Sequence, residues 1–458
     1  MKNKTIEHAI EAKAFGLQES RVDWHDETLW FIRNKRDKAA LSVPEWELLR
    51  TYASAIKDHT LSNLNEYLMN FERQAQKNNV QVHWAYDAEE HNEIVFNILR
   101  KENITGIVKS KSMLTEECHL NQFLEQKGIQ VTDTDLGERI VQLRKEAPSH
   151  IVLPAIHLKK SDVSTTFHEF LGTEKDNNDP QYLTNAARSH LRQMFLASEA
   201  ALTGVNFAIA ETGAIVVCTN EGNADMGVHA ARVHIASMGL EKIIPTTADL
   251  GVFLRLLTRS ATGQPITTYS SHYYKARPGA TMHIVIVDNG RSRQLGNESF
   301  RNSLKCIRCG ACLNTCPVFR RSGGHSYHYA IGGPIGSVLA PNNDKSKNYD
   351  LPFASTLCGS CTNVCPVKID LHDQLWKWRQ VLMKEGYGPD SKRIMMKIMA
   401  FILAKPSLYK VAGSTARFVL QYFPFLVRIK AFNPWIINRE LPAAPSISFT
   451  TWYKKNRK

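Results

Sequence analysis

Seven of the nine cysteines in this 458-residue chain fall between positions 306 and 365. The first four form the run Cys306-x2-Cys309-x2-Cys312-x3-Cys316, and a proline follows directly. In such a run three thiolates surround one iron–sulfur cubane, while the fourth cysteine ligates a second cluster. A structural zinc ion instead takes two cysteine pairs separated by a longer loop. The segment therefore predicts two iron–sulfur clusters, with [4Fe–4S] as the expected type.

A second cysteine run repeats this spacing, but its first position holds Ser355. By the crossed pattern, the first cluster takes four ligands: Cys306, Cys309, Cys312 and Cys365. The second cluster is left with three: Cys316, Cys358 and Cys361. Three outcomes stay open for its fourth iron: ligation by the Ser355 oxygen, ligation by water or another side chain, or loss. The second cluster is accordingly expected as a [4Fe–4S] cluster with a labile iron or as a [3Fe–4S] cluster.

Hydropathy and charge indicate the cellular location of the protein. No stretch approaches 18 consecutive apolar residues, and the polar start "MKNKTIEHAIEAK" lacks the apolar core of a signal peptide. We expect a cytoplasmic protein with reduced thiols. The net charge is +13, and residues 391–458 hold thirteen Lys and Arg against the single acid Glu440. Such a tail suits the inner membrane surface or an acidic partner. No RNA-binding signature accompanies it, so nucleic acid is not expected.

The rhythm of apolar residues predicts four regions. Residues 1–70 are expected to be helical, and 71–297 to form an α/β domain with a mostly parallel sheet, because strand-like and helical stretches alternate there. The predicted strands are 80–86, 104–110, 129–134, 150–156, 205–212, 213–220 and 282–289. Residues 298–385 form the cysteine-rich ferredoxin-type domain, and 386–458 form the basic tail.

Further motifs extend along the chain: "VKSKSMLTEE", "TDLGERIVQL", "FAIAETGAIVVCTNEGNADM", "TRSATGQPITTY", "IVIVDNGRS" and "GGPIGSVLAP". Together with the cysteines, they make the chain resemble, nearly from end to end, the LutB/LldF/YkgF family of lactate-utilization B proteins. The resemblance implies a LUD domain similar in fold to the NagB/RpiA/CoA-transferase group, an α-helical two-cluster ferredoxin domain and a helical C-terminal region. It also implies a role in oxidising L-lactate to pyruvate with A and C partner proteins.

The α/β region offers candidate residues for binding a small molecule. Glu211, Thr212 and Gly213 fall between two predicted strands, where a carboxylate and a glycine turn can face a ligand or simply form a hairpin. Lys109 and Lys111 follow a strand and suit an anion, although a solvated basic turn fits the same pattern. Arg259 could join a similar anion site. Cys118 and Cys218 are expected to be plain buried residues.

Three functions remain open from the sequence. The chain is an electron-transfer component of a multi-protein dehydrogenase, a self-sufficient LUD-domain enzyme, or an iron–sulfur protein that senses redox state. No Gly-x-Gly-x-x-Gly opens a helix after a strand, so binding of NAD or FAD by this chain is not supported. We favour the first function, because the hydride acceptor would then lie in another protein. The catalytic residues remain unknown.

Overall fold

The computed structural model describes residues 7–387, 390–429, 433, 436, 440–441 and 443–457, with only the backbone of Lys392. The chain forms two compact units, Met1–Leu382 and Met383–Lys458. Four helices open the first unit: α1 (Glu7–Gly16), α2 (Glu19–Leu41), α3 (Trp46–Ser62) and α4 (Leu64–Lys77). Helices α1 and α2 pack on the cysteine-rich region, whereas α4 contacts the α/β domain.

The centre of the first unit is a parallel six-stranded sheet in the order β1-β10-β7-β4-β2-β3. Its strands are β1 (Gln81–Ala85), β2 (Gly106–Lys109), β3 (Gln130–Asp133), β4 (Ala200–Gly204), β7 (Val233–Gly239) and β10 (Thr281–Val287). Six of the seven residues of β10 are buried, which is the continuous apolar pattern of a parallel strand covered on both faces. The predicted α/β class and mostly parallel sheet are confirmed.

A smaller mixed sheet lies beside it in the order β8-β5-β6-β9. Its strands are β5 (Phe207–Ile209), β6 (Ala214–Thr219), β8 (Ile243–Ile244) and β9 (Tyr269–Tyr273). The helices of the α/β domain are α5 (Ala88–Lys101), α6 (Met113–Glu117), α7 (Leu120–Gln126), α8 (Leu136–Leu143), α9 (Lys160–Leu171), α10 (Pro180–Ala197), α11 (Asn223–Ala230), α12 (Thr247–Ala261) and α13 (Arg291–Leu295).

Side chains at several helix starts explain why the helices begin where they do. The Asp87 and Asp135 carboxylates accept the amide N–H groups of Glu90 and Glu138 at the starts of α5 and α8. Thr246 and Asp249 form a reciprocal capping box at the start of α12. Each cap satisfies an amide that the first helical turn leaves without a partner, so these short polar residues fix the helix ends.

The prediction of a strand at 150–156 is wrong. The segment is a tight loop in which the His150 Nδ1 atom accepts the amide N–H groups of Val152 and Leu153, at 3.0 and 3.1 Å. The Ser149 amide donates to the Pro154 carbonyl oxygen at 2.9 Å and closes the turn. Pro154 has no N–H to give to a neighbouring strand, and the His150 ring substitutes for a strand partner. The loop runs toward the cysteine-rich region instead.

The cysteine-rich region consists of short helices joined by tight turns. These are α14 (Ala311–Thr315), α15 (Pro317–Ser322), α16 (Gly333–Asn343), α17 (Lys345–Asn348), α18 (Ser360–Val364) and α19 (Leu371–Lys384), with 3-10 turns at Arg301–Lys305, His325–Tyr327 and Leu351–Phe353. Helices α14 and α18, one from each cysteine run, pack against each other. The stacked Phe300 and Trp378 rings, 4.0 Å apart, tie the two ends of the region together.

The second unit is helical, as predicted for the C-terminal region. Its helices are α20 (Asp390–Ala404), α21 (Pro406–Tyr422), α22 (Pro424–Val427) and α23 (Phe449–Asn456). None of its described residues is buried, and large apolar side chains such as Ile394, Phe401 and Phe418 are more than half exposed. Among the described residues of the whole chain, no helix is long and apolar enough to cross a bilayer.

Candidate metal centre

The structure brings the seven clustered cysteines into two neighbouring sets. Burial raises the pKa of Cys309 above its usual range, and the charges of Cys365 and Cys306 raise it further. Burial also raises the pKa of Cys312, and the charges of Cys306, Cys309 and Cys365 raise it further. The second set shows the same effect, because burial and the charges of Cys316 and Cys358 raise the pKa of Cys361 to about 12. The two sets adjoin, because helices α14 and α18 pack against each other, and the charge of Cys361 also raises the pKa of Cys312.

The two cysteine runs have the same backbone. Arg308 and Leu357, each two residues into its run, have positive φ angles of 59° and 56°. Gly310 and Gly359, two residues further on, have φ angles of 76° and 79°. A side chain other than glycine rarely adopts this left-handed conformation, so its recurrence in Arg308 and Leu357 marks a turn that each run requires. Each turn leads directly into a five-residue helix, α14 or α18.

Ser355 occupies the position that Cys306 has in the first run. The Arg308 amide donates to the Cys306 Sγ atom at 3.4 Å, and the Leu357 amide donates to the Ser355 Oγ atom at 3.1 Å. The hydroxyl oxygen therefore stands where the first run places a thiol sulfur, and it accepts the matching hydrogen bond. The Arg379 guanidinium fixes this turn from outside by donating to the Ser355 carbonyl oxygen at 2.6 Å.

Two buried arginines from the N-terminal helices hold the turn around Cys365. The Arg50 guanidinium of α3 donates to the Cys365 carbonyl oxygen at 2.8 and 3.0 Å and to that of Asn363 at 2.8 Å. Arg36 of α2 donates to the Val364 carbonyl oxygen at 3.1 Å. Both side chains place a positive charge beside thiols of the first set. The helical region at the N-terminus is thus part of the thiol site.

The residues present fit an iron–sulfur cluster in each set. The first set supplies four thiols, and the Ile369 amide donates to the Cys365 Sγ atom at 3.3 Å, as amides do to cluster sulfurs. Among the described residues, no three Cys, His, Asp or Glu side chains converge closely enough to hold one metal ion. A cubane gives each thiolate its own iron, so its ligands surround a larger volume than those of a single ion.

A cavity of about 300 Å³ separates the first thiol set from the α/β domain. Cys309 lies in its wall. The carboxyl ends of three parallel strands also line it: Gly204 is the last residue of β4, Gly239 is the last residue of β7, and Lys111 follows the end of β2. Helix α12 contributes Thr258. Ligands of open α/β sheets bind at this carboxyl edge of the strands. The cavity therefore has the place and the size of a small-molecule site beside the thiols.

The cavity wall contains several ionised groups, most of which are paired. Burial by itself would raise the pKa of Glu241, but the charges of Arg291 and Arg308 lower it to about 2. The Arg291 guanidinium donates to Glu241 at 2.6 Å and to Glu117 at 2.9 Å. Lys242 is the exception. Its ammonium has no hydrogen bond or ion pair within the described part of the chain. Burial lowers its pKa, and the charge of Glu241 opposes this shift.

The two lysines predicted to bind an anion are placed differently. Lys111 lines the cavity, and its ammonium donates to Asp135 and to the Val152 carbonyl oxygen, both at 3.0 Å. Lys109 is fully buried and pairs with Asp133 at 2.8 Å and Glu116 at 3.0 Å. Although burial opposes its charge, these carboxylates hold the pKa of Lys109 well above its usual range. Its ammonium is thus committed to internal ion pairs.

The other predicted binding residues lie away from the cavity wall. Glu211 accepts the amide N–H of Thr247 at 3.0 Å, and the Thr212 carbonyl oxygen accepts from Asn78 at 3.1 Å. Gly213 packs so closely on α4 that a Cβ atom there would come within 2.3 Å of a backbone nitrogen. Arg259 donates to a carbonyl oxygen of its own helix at 2.9 Å. The structure does not bring these four residues together with Lys111.

Sequence reasoning missed Arg36, Arg50, Lys242 and Arg308. Arg36 and Arg50 sit at buried positions of α2 and α3, and a charged residue on an apolar helix face was the one available signal. Lys242 follows a buried strand, but nothing in its neighbourhood along the chain indicates a cavity. Cys118 is buried in the α/β core as expected, whereas Cys218 is half-buried and lines the cavity.

Comparison with known proteins agrees with this architecture. Residues 68–293 match the LUD domain family, and residues 302–369 match the 4Fe-4S dicluster domain family. A lactate utilization protein B from Bacillus cytotoxicus is 43% identical over 93% of this chain and 92% of its own length. A second, from Oceanobacillus iheyensis, is 42% identical over 93% of this chain and 91% of its length. This chain belongs to the lactate utilization protein B family.

The family membership confirms the resemblance drawn from the motifs, including the LUD domain and the iron–sulfur domain. A third member, from Bacillus cereus, is 41% identical over 93% of this chain and 92% of its own length. Among solved structures, a DUF162 family protein from Deinococcus radiodurans aligns with 49% of this chain and 98% of that chain, at 13% identity and a TM-score of 0.26.

Proposed function

We propose that this chain is the iron–sulfur electron-transfer subunit of a multi-protein system that oxidises L-lactate to pyruvate. The name of its relatives, lactate utilization protein B, supports lactate as the substrate of the system. The A and C proteins of the same system are the partners we expect. The working parts are a helical segment at 1–70, a LUD domain at 71–297, a two-cluster domain at 298–385 and a basic helical region at 386–458.

The observation that carries this proposal is that the two cysteine runs adjoin, since helices α14 and α18, one from each run, pack against each other. Oxidation of lactate to pyruvate releases two electrons and two protons. A bound iron–sulfur cluster accepts and releases one electron at a time. Two adjoining sets therefore suit a subunit that receives an electron pair and passes the electrons on singly. Arg36 and Arg50 would offset the negative charge that arrives with each electron.

Reconstitution tests the proposal. The holoprotein, mixed anaerobically with the A and C proteins and L-lactate, should show cluster reduction by electron paramagnetic resonance and equivalent formation of pyruvate. The same holoprotein without partners should show neither. D-lactate in place of L-lactate determines the enantiomer. Absence of cluster reduction in the complete mixture would contradict the proposal.

A second candidate is a self-sufficient LUD-domain enzyme, and the cavity beside Cys309 is the observation that favours it. A substrate bound there would lie next to the first thiol set without any partner protein. The test is turnover by the purified holoprotein alone, with lactate and an artificial electron acceptor. Steady pyruvate formation under these conditions would replace the first proposal with this one.

We further propose that the C-terminal unit docks on an anionic membrane surface. Residues 391–458 combine thirteen cations with one acid, and exposed large apolar side chains interrupt the cations along α20 and α21. Amphipathic helices of this kind lie in the interface of anionic bilayers, with apolar side chains among the lipids. An acidic protein would match the cations but would leave more of these apolar side chains in water.

Truncation after Tyr387 tests this docking. The full chain should sediment with anionic lipid vesicles and much less with neutral ones, and added salt should weaken binding because it screens the cations. The truncated protein should keep its iron and lose vesicle binding. Retention by the A or C protein instead of vesicles would identify an acidic partner. Unchanged binding after truncation would leave the unit with a packing role only.

A further inference from the structure

A second cavity, of about 1000 Å³, is lined by the α/β domain and by residues of the segment 324–330, which lies between the two cysteine runs. Helices α6, α7 and α8 contribute to its wall, and His325, His328 and Tyr329 line it from the segment. The residues of α8 in the wall recur at helical spacing and so belong to one face: Glu138, Val141, Gln142 and Lys145. We call this the acidic cavity.

Acids dominate its wall: Glu116, Glu117, Glu125, Asp133, Glu138 and Glu146. Cations outside the wall pair with four of them within 3.0 Å: Lys109 with Glu116 and Asp133, Arg291 with Glu117, and Arg144 with Glu146. The two arginines that reach Glu117 also pair with Glu241 and therefore add no excess positive charge. In the described residues, no cation pairs with Glu125 or Glu138.

Two further cations on α8 leave Glu138 unpaired. Lys145 is the one lysine or arginine that the described residues give to the wall, and it is exposed. Arg139 donates to the Gln142 Oε1 atom at 2.5 Å and shares a hydrogen bond with His190 at 2.9 Å. Even with both counted, the acidic cavity keeps an excess of negative charge when every acid is ionised.

The buried acid of this cavity has no partner. Glu138 is 2% exposed, and neither oxygen of its carboxyl group has a hydrogen-bond partner among the described residues. The charges that act on it most strongly come from two lysines and two aspartates: Lys109, Lys111, Asp133 and Asp135. Each lysine is already paired with one of these aspartates, at 2.8 and 3.0 Å. A buried carboxylate without a partner is costly, so Glu138 requires a proton or a ligand.

A second acceptor lies close to Glu138. The Asn121 Nδ2 atom donates to Asp133 at 3.0 Å, but the Asn121 Oδ1 atom has no partner among the described residues. The unpartnered oxygens of Glu138 and Asn121 match an ammonium group, which has three N–H donors and no acceptor. Within the described chain, no three Cys, His, Asp or Glu side chains converge on one metal ion, so an organic cation fits better.

We propose that the acidic cavity binds an aliphatic diamine, with one ammonium on the Glu138 carboxylate and the Asn121 carbonyl oxygen. The second ammonium lies toward Glu125, which is exposed. A molecule with one positive charge at each end matches one buried and one exposed acid without a partner. Val141 and Tyr329 in the same wall suit its methylene chain. This site is separate from the thiol sets and does not depend on the proposed electron transfer.

A proton occupies the site when the diamine is absent. Burial and the charges of Asp133 and Asp135 raise the pKa of Glu138 well above its usual range, although the two lysines oppose this shift. Binding of an ammonium requires the carboxylate and therefore releases that proton. The affinity should rise between about pH 6 and about pH 8, where aliphatic amines keep their charge. Three histidines share the wall, so a variant of Glu138 is needed to assign the proton: His119, His325 and His328.

Calorimetric titration of the anaerobic holoprotein with diaminopentane tests the site. Wild type should bind the diamine, and the neutral pentanediol of the same length should not bind. Glu138→Gln should weaken binding by about 10- to 100-fold, the loss expected for a hydrogen bond to a charged group, and Asn121→Ala by about 3- to 10-fold. Glu66→Gln, at an exposed acid of α4 outside the wall, is the control with unchanged affinity.

The released proton gives a second readout. Titrations in two buffers of different ionisation enthalpy should show proton release in wild type and none in Glu138→Gln. Equal binding of the diamine and the diol, which needs no variant, would overturn the proposal. So would an absence of diamine binding, or unchanged affinity in Glu138→Gln.

A lysine side chain of a partner protein carries the same ammonium group as a free diamine. Diamine affinity that is unchanged when the A and C proteins are added would support the free diamine as the ligand. Loss of diamine binding on their addition, together with weaker association of the partners with Glu138→Gln, would replace the diamine by a partner lysine and overturn the proposal.

Discussion

The first and second cysteine runs fold the same turn and helix, but they differ in the atom at the first position and in their surroundings. Cys306 presents a sulfur, while Ser355 presents an oxygen held by the matching amide. The equivalent second cysteines also differ, because Cys309 is buried against the cavity whereas Cys358 is exposed. Two runs with one backbone are therefore suited to clusters of different stability, one enclosed and one open.

This difference shows that the conformation of the turn and the atom offered to the cluster are determined by different residues. The left-handed turn residues, Arg308 and Leu357, recur in both runs. The turn in the second run therefore folds without the first thiol. Serine keeps the hydrogen bond of the turn but offers a hard, weakly acidic oxygen to iron, which prefers thiolate in iron–sulfur sites. We infer that the second set holds three irons firmly and a fourth weakly.

The largest expected effect comes from Cys309→Ala. Removing this thiol takes one of the four ligands from the first set, so we expect loss of that cluster and of electron flow from lactate. Iron and acid-labile sulfide content, absorbance and assay with the A and C proteins measure the outcome. Cys118→Ala is the matched control, because this thiol is buried in the α/β core. Full iron content and activity in Cys309→Ala would reject the crossed ligand assignment.

Cys306→Ser should give the first run the ligand pattern of the second. The serine can keep the hydrogen bond from Arg308 but would replace a thiolate by a poorer ligand. We expect a cluster that survives anaerobic purification and loses one iron in air, a milder defect than that of Cys309→Ala. A wild-type iron count after exposure to air would show that the first position contributes little to iron retention.

Ser355→Cys is the reciprocal change. In wild type, we expect part of the second cluster to appear as [3Fe–4S] after aerobic purification, with a signal in the oxidised protein. The new thiolate should convert it to a stable [4Fe–4S] cluster and lower its reduction potential. Thr356→Cys is the control, because it places a thiol at the next residue, which is exposed. It should change neither the type of the second cluster nor its reduction potential. Two air-stable four-iron clusters in wild type would mean that another residue already completes the site.

These contrasts also explain what the sequence could predict. The cysteine spacing indicated an iron–sulfur domain because cluster ligands follow short local gaps, and the match to a dicluster domain confirms it. Strand β10 was found because a run of buried apolar residues is a local signal. The prediction of a strand at 150–156 was wrong because the conformation of this segment depends on a distant residue. The His150 Nε2 atom shares a hydrogen bond with Asn314 at 3.0 Å. That Lys242 and Cys309 line the same cavity has no local signal at all.

The smallest expected effect is that of Arg50→Met. The substitution keeps the apolar stem but removes the guanidinium that donates to the carbonyl oxygens of Cys365 and Asn363. Because hydrogen bonds from a charged group contribute about 1.5–3 kcal/mol each, loss of those to the two carbonyl oxygens should lower the free energy of unfolding by about 3–6 kcal/mol. Loss of a positive charge near the first set should also lower the reduction potential of that cluster, since reduction adds negative charge.

A redox titration followed by electron paramagnetic resonance, together with thermal unfolding of the holoprotein, measures both effects. The potential of the second cluster should change less, because Arg50 contacts the Cys365 turn that belongs to the first set. Arg73→Met removes the same charge at an exposed position of α4, a helix that contacts the α/β domain, and serves as the control. An equal shift in both clusters, or none in either, would show that Arg50 supports the fold of the second run without distinguishing the two sites.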